Sequence, residues 1–236
     1  MLFRLIGDDT DEVRIKWVKE NLSDIPAGSN ILDAGAGELK FKSDCDHLHY
    51  VAQDFGQYEG TGDEGLQTGE WDNARLDIVS DITDIPVHDE SFEALLCTEV
   101  LEHIPDAVSA LKEFSRILKP GGILLITAPF ASLTHFAPYH FCGYNKYWYQ
   151  YHLPKLGFDI EVLDHNGSWF HFVAQELRRS RFIGKMYSLK GVGLITRVVV
   201  IPILMLLTIL SRFDRGSHEA LCFGYMIRAT KKTRTF

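Results

Sequence analysis

The side chains with the clearest chemical potential are two acids, a pair of glycines and two histidines. Asp33, Gly35 and Gly37 stand in the run Asn30-Ile31-Leu32-Asp33-Ala34-Gly35-Ala36-Gly37-Glu38, where a short apolar stretch ends in an acid and then in small residues. This reads as a buried strand entering a tight turn. Glycine supplies φ > 0 and lets a ligand approach bare backbone, and the carboxyl end of the first strand of an open α/β sheet is where a nucleotide-like ligand is held. Asp54 ends the run His49-Tyr50-Val51-Ala52-Gln53-Asp54, about 20 residues after the glycine turn. An ionised carboxylate only accepts hydrogen bonds, so an acid there can take both hydroxyls of a ribose; a surface acid at a strand end is the equal alternative. His135 and His140 lie in an aromatic stretch with Phe136, Tyr139, Phe141 and Tyr144. An imidazole titrates near pH ~6.5 and can accept a proton at neutral pH. The flat faces beside it suit a sugar ring or another planar acceptor.

These residues need elements to position them, and the pattern supplies an α/β alternation. Asp9-Thr10-Asp11-Glu12 opens a helix in which Val13, Trp17, Val18 and Leu22 share a face, with Pro26 and Gly28 closing it. After the glycine turn and the second strand, Gly56 to Asn73 has no hydrophobic period and stands where a crossover helix is expected. Its one large apolar residue, Trp71, either pins the loop or covers a ligand. Leu76 to Ile82 and Ser91 to Val100 read as the next strands. A helix follows, with Pro105 in its first turn and Ala107, Ala110, Leu111, Phe114 and Leu118 on one face. Lys119-Pro120-Gly121-Gly122 ends it before the apolar strand Ile123 to Ala128. The aromatic stretch comes next, on the ligand side of such a sheet, and runs into a helix that ends at Lys155-Leu156-Gly157. Trp148 and Tyr151 of that helix are expected in the core. Alternating strands and helices predict a parallel, doubly wound sheet.

The run Asp81-Ile82, Ile85-Pro86, Ser91-Phe92, Glu99-Val100-Leu101-Glu102-His103-Ile104 and Leu118-Lys119-Pro120-Gly121-Gly122 resembles, in order and spacing, the class I S-adenosylmethionine-dependent methyltransferases. Asp33-x-Gly35-x-Gly37 resembles their first motif. A dinucleotide fingerprint would want a third glycine where Lys40 stands. The resemblance implies a Rossmann-like sheet of seven strands, the last antiparallel (Leu221 to Ala229), with a helical insertion before it. It implies S-adenosyl-L-methionine as cofactor. Asp33, Gly35 and Gly37 would pack against its methionine and ribose part, Asp54 would bind the ribose hydroxyls, and Asp81 would accept from the adenine amino group. Ile82 would lie against the ring and Thr98 near the methionine part. Glu38 and Leu39 depart from the small residues usual after the second glycine, which narrows the turn. A Pro-x-His-Phe element, here Pro138 to Phe141, recurs at this place in related methyltransferases. His140 and then His135 are the candidate bases, with Tyr139, Phe141 and Tyr144 as acceptor contacts. Glu102-His103 is read as a structural element between strand and helix. The activity implied is methyl transfer, to oxygen before nitrogen or carbon, on a small-molecule or glycan- or lipid-linked acceptor. A methyltransferase-like scaffold without turnover and an NAD(P)-dependent oxidoreductase are the rivals.

The 236 residues suit a single methyltransferase domain: an N-terminal helix (1–25), a cofactor-binding core with the acceptor loop (26–165), a basic and apolar insertion (166–218) and a final strand with its tail (219–236). A net charge of −8 argues against a general nucleic-acid binder. Four scattered cysteines suit a reducing, cytoplasmic setting, and neither they nor the histidines show a metal-binding spacing. The first six residues are too short an apolar run for a secretory signal. The charge is uneven. Arg178 to Arg215 holds eight Lys/Arg against one acid, Asp214, a net +7 that leaves −15 on the remainder. Inside this arm Val198 to Leu210 is a run of thirteen uncharged residues, shorter than a spanning helix needs. It suits peripheral contact of 178–215 with the inner face of a membrane, and equally a buried helix or a homodimer contact.

Overall fold

In the computed structural model, residues 5–58, 75–187 and 192–233 are described. The expectation for Trp71 and for most of the Gly56 to Asn73 loop lies outside them. The chain forms two compact units, one from 15–164 with 224–236 and the other from 1–14 with 165–223.

The larger unit is built on the expected sheet. Its strands are β1 (Asn30–Ala34), β2 (His49–Asp54), β3 (Ile78–Val79), β4 (Phe92–Thr98), β5 (Leu118–Pro129), β6 (Phe158–Asn166) and β7 (Gly224–Lys231), in the spatial order β3-β2-β1-β4-β5-β7-β6. β1 pairs in parallel with β2 and β4, and β4 with β5, whereas β7 runs antiparallel to β5. The order reverses between β1 and β4, and a ligand crevice opens at the carboxyl ends of the strands where that happens.

The helices follow from apolar spacing and caps. In α1 (Thr10–Ser23) Val18 and Leu22 are fully buried with Ile31, Phe41 and Leu96, and Trp17 packs against them. Val13, expected on the same face, is exposed. α2 (Ala107–Ile117) begins two residues after Pro105, which therefore lies outside its first turn. Asp106 is its N-cap, accepting from the Ser109 N–H at 3.1 Å. Ala107, Ala110, Leu111, Phe114 and Ile117 fill the buried face, and Leu118 already belongs to β5. Within the recurring pattern, Ile85-Pro86 is held by α2. The Ile85 N–H donates to Glu113, and Arg116 donates to the carbonyls of Ile85 and Val87. In α3 (Lys146–Lys155) the buried aromatic is Tyr149, while Tyr151 is exposed under the Lys155 ammonium. Helical phase explains the difference, since Tyr149 and Leu153 share a face that Tyr151 does not.

The smaller unit is a helical pair, α4 (Trp169–Tyr187) and α5 (Val192–Ser211). Ala174 of α4 is buried against Leu204 and Leu207 of α5, with Leu5, Ile6, Phe170, Val173, Leu177 and Val200 packed around them. Thr208, also buried, accepts from the Ile6 N–H at 3.2 Å and donates to the Leu204 carbonyl. The apolar stretch is therefore a helix buried on one narrow stripe and bare elsewhere. Val198, Val199, Met205, Leu206, Ile209 and Leu210 are exposed, Val198 by 68% and Leu206 by 55%. Among the described residues no helix is long and apolar enough to cross a membrane.

Candidate active site

The glycine turn and its acids meet at the carboxyl end of β1 and β2. Gly35 has φ +78° and Gly37 φ +49°, a region that favours glycine. A β-carbon at Gly35 would also strike Val100, so the turn and the segment after β4 are in close packing. Asp54 is buried, and its two oxygens accept from the N–H groups of Gly37 (3.1 Å) and Gly56 (3.0 Å). Each oxygen keeps a second lone pair, so Asp54 can brace the turn and still accept from a ligand. Asp33 is buried beneath the turn and accepts from the Tyr50 hydroxyl at 2.6 Å. Burial drives its carboxyl up to about 7; the Tyr50 hydrogen bond opposes this and the Asp54 charge adds to it.

Gln53 is a residue that sequence reasoning passed over. Its backbone carbonyl accepts from Gly35 and Ala36, and its buried amide donates to the Ser80 carbonyl at 2.8 Å. It thereby fixes the turn and the end of β3 together. Its only signal was its place directly before the strand-end acid. Asp81 stands on the exposed turn after β3, where one oxygen accepts from Thr83 at both its N–H (2.8 Å) and its hydroxyl (2.7 Å); Ile82 is buried beside it. Thr98 ends β4, half-buried, in register with Thr127. The next residue, Glu99, is left-handed at φ +54° and accepts from the Thr127 hydroxyl at 2.8 Å.

The loop after β5 folds back over this end of the sheet. Tyr139 meets Phe55 edge-on at 5.2 Å and Phe136 meets Tyr58 at 4.7 Å, so the aromatic stretch reaches the residues that follow Asp54. Phe141 is exposed, and its N–H donates to the Glu102 carbonyl. Tyr144 is buried, with its hydroxyl donating to the Leu101 carbonyl at 3.3 Å and its ring against Trp148. The geometry makes Tyr144 a brace beneath the loop.

The histidines gather with Glu102. The rings of His135 and His140 lie 4.4 Å apart, and those of His103 and His135 4.8 Å. The His140 Nδ1 accepts from the His135 N–H at 3.0 Å, so its lone pair is engaged and the neutral ring carries its proton on Nε2. His135 is oriented the other way. Its Nδ1 lies 2.8 Å from the Leu133 carbonyl, which leaves Nε2 bare and 3.8 Å from Glu102. Glu102 is fully buried in the 3-10 turn Leu101–His103. Burial raises its carboxyl to about 7, with His135 opposing and Glu99 adding to the rise. Burial lowers His103 to about 4, and also lowers His140, which the neighbouring His135 depresses further. For His135 burial works downward too, but Glu102 and the Leu133 carbonyl outweigh it and hold the imidazole above its usual value.

A methyltransferase domain family matches residues 62–126, the span that carries most of the recurring pattern. The chain is 27% identical over 123 residues to a ubiquinone biosynthesis O-methyltransferase of Marinobacter nauticus, covering 50% of this chain and 51% of that one. It is 34% identical over 102 residues to a demethylmenaquinone methyltransferase of Clavibacter sepedonicus, covering 42% and 41%. The chain thus spans about half the length of the curated relatives it matches. Among solved structures the [4+2]-cyclase SpnF shares the fold, with a TM-score of 0.55 at 16% identity over 99% of this chain and 88% of that one. Strand order, glycine turn and the match over residues 62–126 together make the chain similar to the class I S-adenosylmethionine-dependent methyltransferases. S-adenosylmethionine is the cofactor of that family.

Proposed function

We propose that the chain transfers the methyl group of S-adenosylmethionine to an oxygen of a small-molecule or glycan- or lipid-linked acceptor. One observation carries the reading. Buried acids on a glycine turn stand at the same sheet end as the histidine-bearing loop whose Tyr139 and Phe136 rings pack on Phe55 and Tyr58. Methyl transfer from a sulfonium is an in-line displacement on an activated carbon, so alignment of donor and acceptor supplies most of the rate. A group that takes the hydroxyl proton supplies the rest. The Asp33 and Asp54 carboxyls suit the hydroxyl and ammonium donors of the cofactor, and Tyr139 with His135 forms the acceptor side. One similar protein is named for O-methylation in ubiquinone biosynthesis and another as a demethylmenaquinone methyltransferase, which favours a quinone-like ring as acceptor. The test is formation of S-adenosylhomocysteine from labelled cofactor with ring hydroxyl acceptors of increasing chain length. Cofactor binding without any S-adenosylhomocysteine across that series would mark a binding protein instead.

The exposed apolar face of α5 fits a lipid surface as the place where such an acceptor is met. Arg181 and Lys185 of α4 are exposed near Phe182 and Met186, a pairing of charge and apolar area that suits anionic headgroups. Not all of the arm's charge serves this purpose. Arg178 donates to the carbonyls of Leu5 and Ile6, and Arg179 pairs with Glu176 at 2.7 Å.

A further inference from the structure

We infer that Glu102, His103 and His135 bind a divalent transition-metal ion of the zinc class. One ligand atom from each lies within 4.8 Å of the other two. The Glu102 Oε1 is 3.6 Å from the His103 Nε2 and 3.8 Å from the His135 Nε2. The hydrogen bonds on the far side of each ring fix the tautomers. The His103 Nδ1 is hydrogen-bonded to the Tyr139 carbonyl and the His135 Nδ1 to the Leu133 carbonyl. A carbonyl oxygen can only accept, so both Nδ1 atoms carry hydrogen and both neutral rings turn a bare Nε2 lone pair toward the same carboxylate.

Three acceptor atoms thus converge around a fully buried carboxylate. Glu102 is fully buried, and neither of its side-chain oxygens nor the His103 Nε2 has a hydrogen-bond partner. Buried acceptors without partners are unfavourable until a proton or a cation completes them. One shared proton between Glu102 and His135 would relieve that pair alone. It would leave the His103 Nε2 and the Glu102 Oε2 without a partner. A metal ion relieves all three at once.

The surroundings have the form of a metal site. Metal-ligating imidazoles donate their other N–H to a carbonyl or carboxylate, which fixes ring and tautomer, and both rings here do so. Two imidazole nitrogens and one carboxylate oxygen are the donor set that zinc-class ions take with a fourth position open. Bonds of 2.0–2.1 Å at a tetrahedral angle put ligand atoms about 3.3 Å apart, so the observed separations close by small side-chain movements. His140 is not the fourth ligand, because its Nδ1 is engaged by the His135 N–H. The open position belongs to an exogenous oxygen. If the proposed O-methylation holds, that oxygen is the acceptor hydroxyl, whose proton the ion makes easier to lose.

Cobalt titration of the untagged, chelator-stripped chain tests the site without relying on turnover. The expected result is one equivalent of Co²⁺ with the intense visible absorption of a four-coordinate ion and a raised Tm. Glu102→Gln and His135→Ala should each weaken binding by roughly a hundredfold, while Asp54→Ala should keep it. Two outcomes would overturn the inference. One is wild-type protein that is folded, binds S-adenosylhomocysteine and gives neither the cobalt spectrum nor the Tm shift. The other is a spectrum unchanged in Glu102→Gln and His135→Ala. Cobalt bound by wild type without methyl transfer would instead count against the proposed activity alone.

Discussion

A β-carbon on Gly35 would lie 2.4 Å from the Cγ2 of Val100. The two residues come from the two most recognisable stretches of the chain, and their contact fixes how closely the glycine turn packs on the segment after β4. Gly35→Ala meets both this clash and an unfavourable φ of +78°. A left-handed non-glycine residue costs about 1–3 kcal/mol. The variant should therefore lose stability by that amount or more and bind S-adenosylmethionine more weakly. Adding Val100→Ala should recover the part due to the clash and leave the part due to φ. Thermal melts and calorimetry on the single and double variants separate the two, and full recovery would show that backbone strain plays no part.

Asp54→Ala should weaken S-adenosylmethionine binding by roughly 1.5–3 kcal/mol, the range for hydrogen bonds to a charged group. Because Asp54 also holds the Gly37 and Gly56 N–H groups, Asp54→Asn is the sharper variant. Its amide oxygen keeps one of these contacts while the charge is gone. Calorimetry should rank wild type above Asp54→Asn and Asp54→Asn above Asp54→Ala. Equal affinities with an intact fold would remove Asp54 from the cofactor site.

Much of this was legible in the sequence because it depends on local order. The strand, turn and acid of Asp33 to Asp54, and the spacing from Asp81 to Gly122, are properties of neighbours along the chain. Gln53, Glu113 and Arg116 escaped notice because their partners lie across the fold, at Ser80, Ile85 and Val87. The sequence makes Glu102 and His103 structural because the recurring pattern sets them between strand and helix, and only the fold brings His135 beside them. Tyr151 was expected inside and Tyr149 took that place, a matter of helical phase that a run of aromatic residues hides.

Asp33 sets a pH dependence on the stability of the free protein. Burial raises its carboxyl from 3.8 to about 7 in the folded chain, so between those values the folded state holds the proton more tightly than the unfolded one. Stability then falls as pH rises from about 4 to 7, and the cost, on the order of a few kcal/mol, is complete above that. Asp33→Asn should be flatter than wild type over this window in denaturant titrations. Tyr50→Phe should push the fall to higher pH, because it removes the hydrogen bond that opposes the shift. Parallel profiles for wild type and Asp33→Asn would assign the dependence to another group.

The tautomers rank the two histidines for the loss of the acceptor proton in the order opposite to that expected from the sequence. His140 already accepts from the His135 N–H, whereas the His135 Nε2 is bare. His135→Ala should lower single-turnover rate by roughly 10²–10⁴, the usual size for a group that promotes proton loss, here through the ion its Nε2 would hold. His140→Ala should cost less than about tenfold, with cofactor affinity unchanged in both. A larger loss in His140→Ala than in His135→Ala would restore the original ranking.

The helical pair decides between a lipid surface and a second copy of the chain, and its burial pattern selects the variants. Leu204 and Leu207 are only 3% and 7% exposed and hold α5 to α4. An acid at either would unfold the pair and answer nothing about binding. Val199 and Leu206 are more than half exposed, and replacing them should leave the pair folded. Wild type should sediment with anionic liposomes, less with neutral ones, and less again as salt screens the basic residues. Each basic residue near an anionic surface adds ~1 kcal/mol, so Arg181→Glu with Lys185→Glu should weaken sedimentation by roughly a hundredfold or more and leave Tm near the wild-type value. Val199→Asp with Leu206→Asp should abolish sedimentation through the apolar part. If wild type ignores liposomes and elutes as a dimer that these last two substitutions split, the exposed face of α5 is a subunit contact and the membrane reading fails.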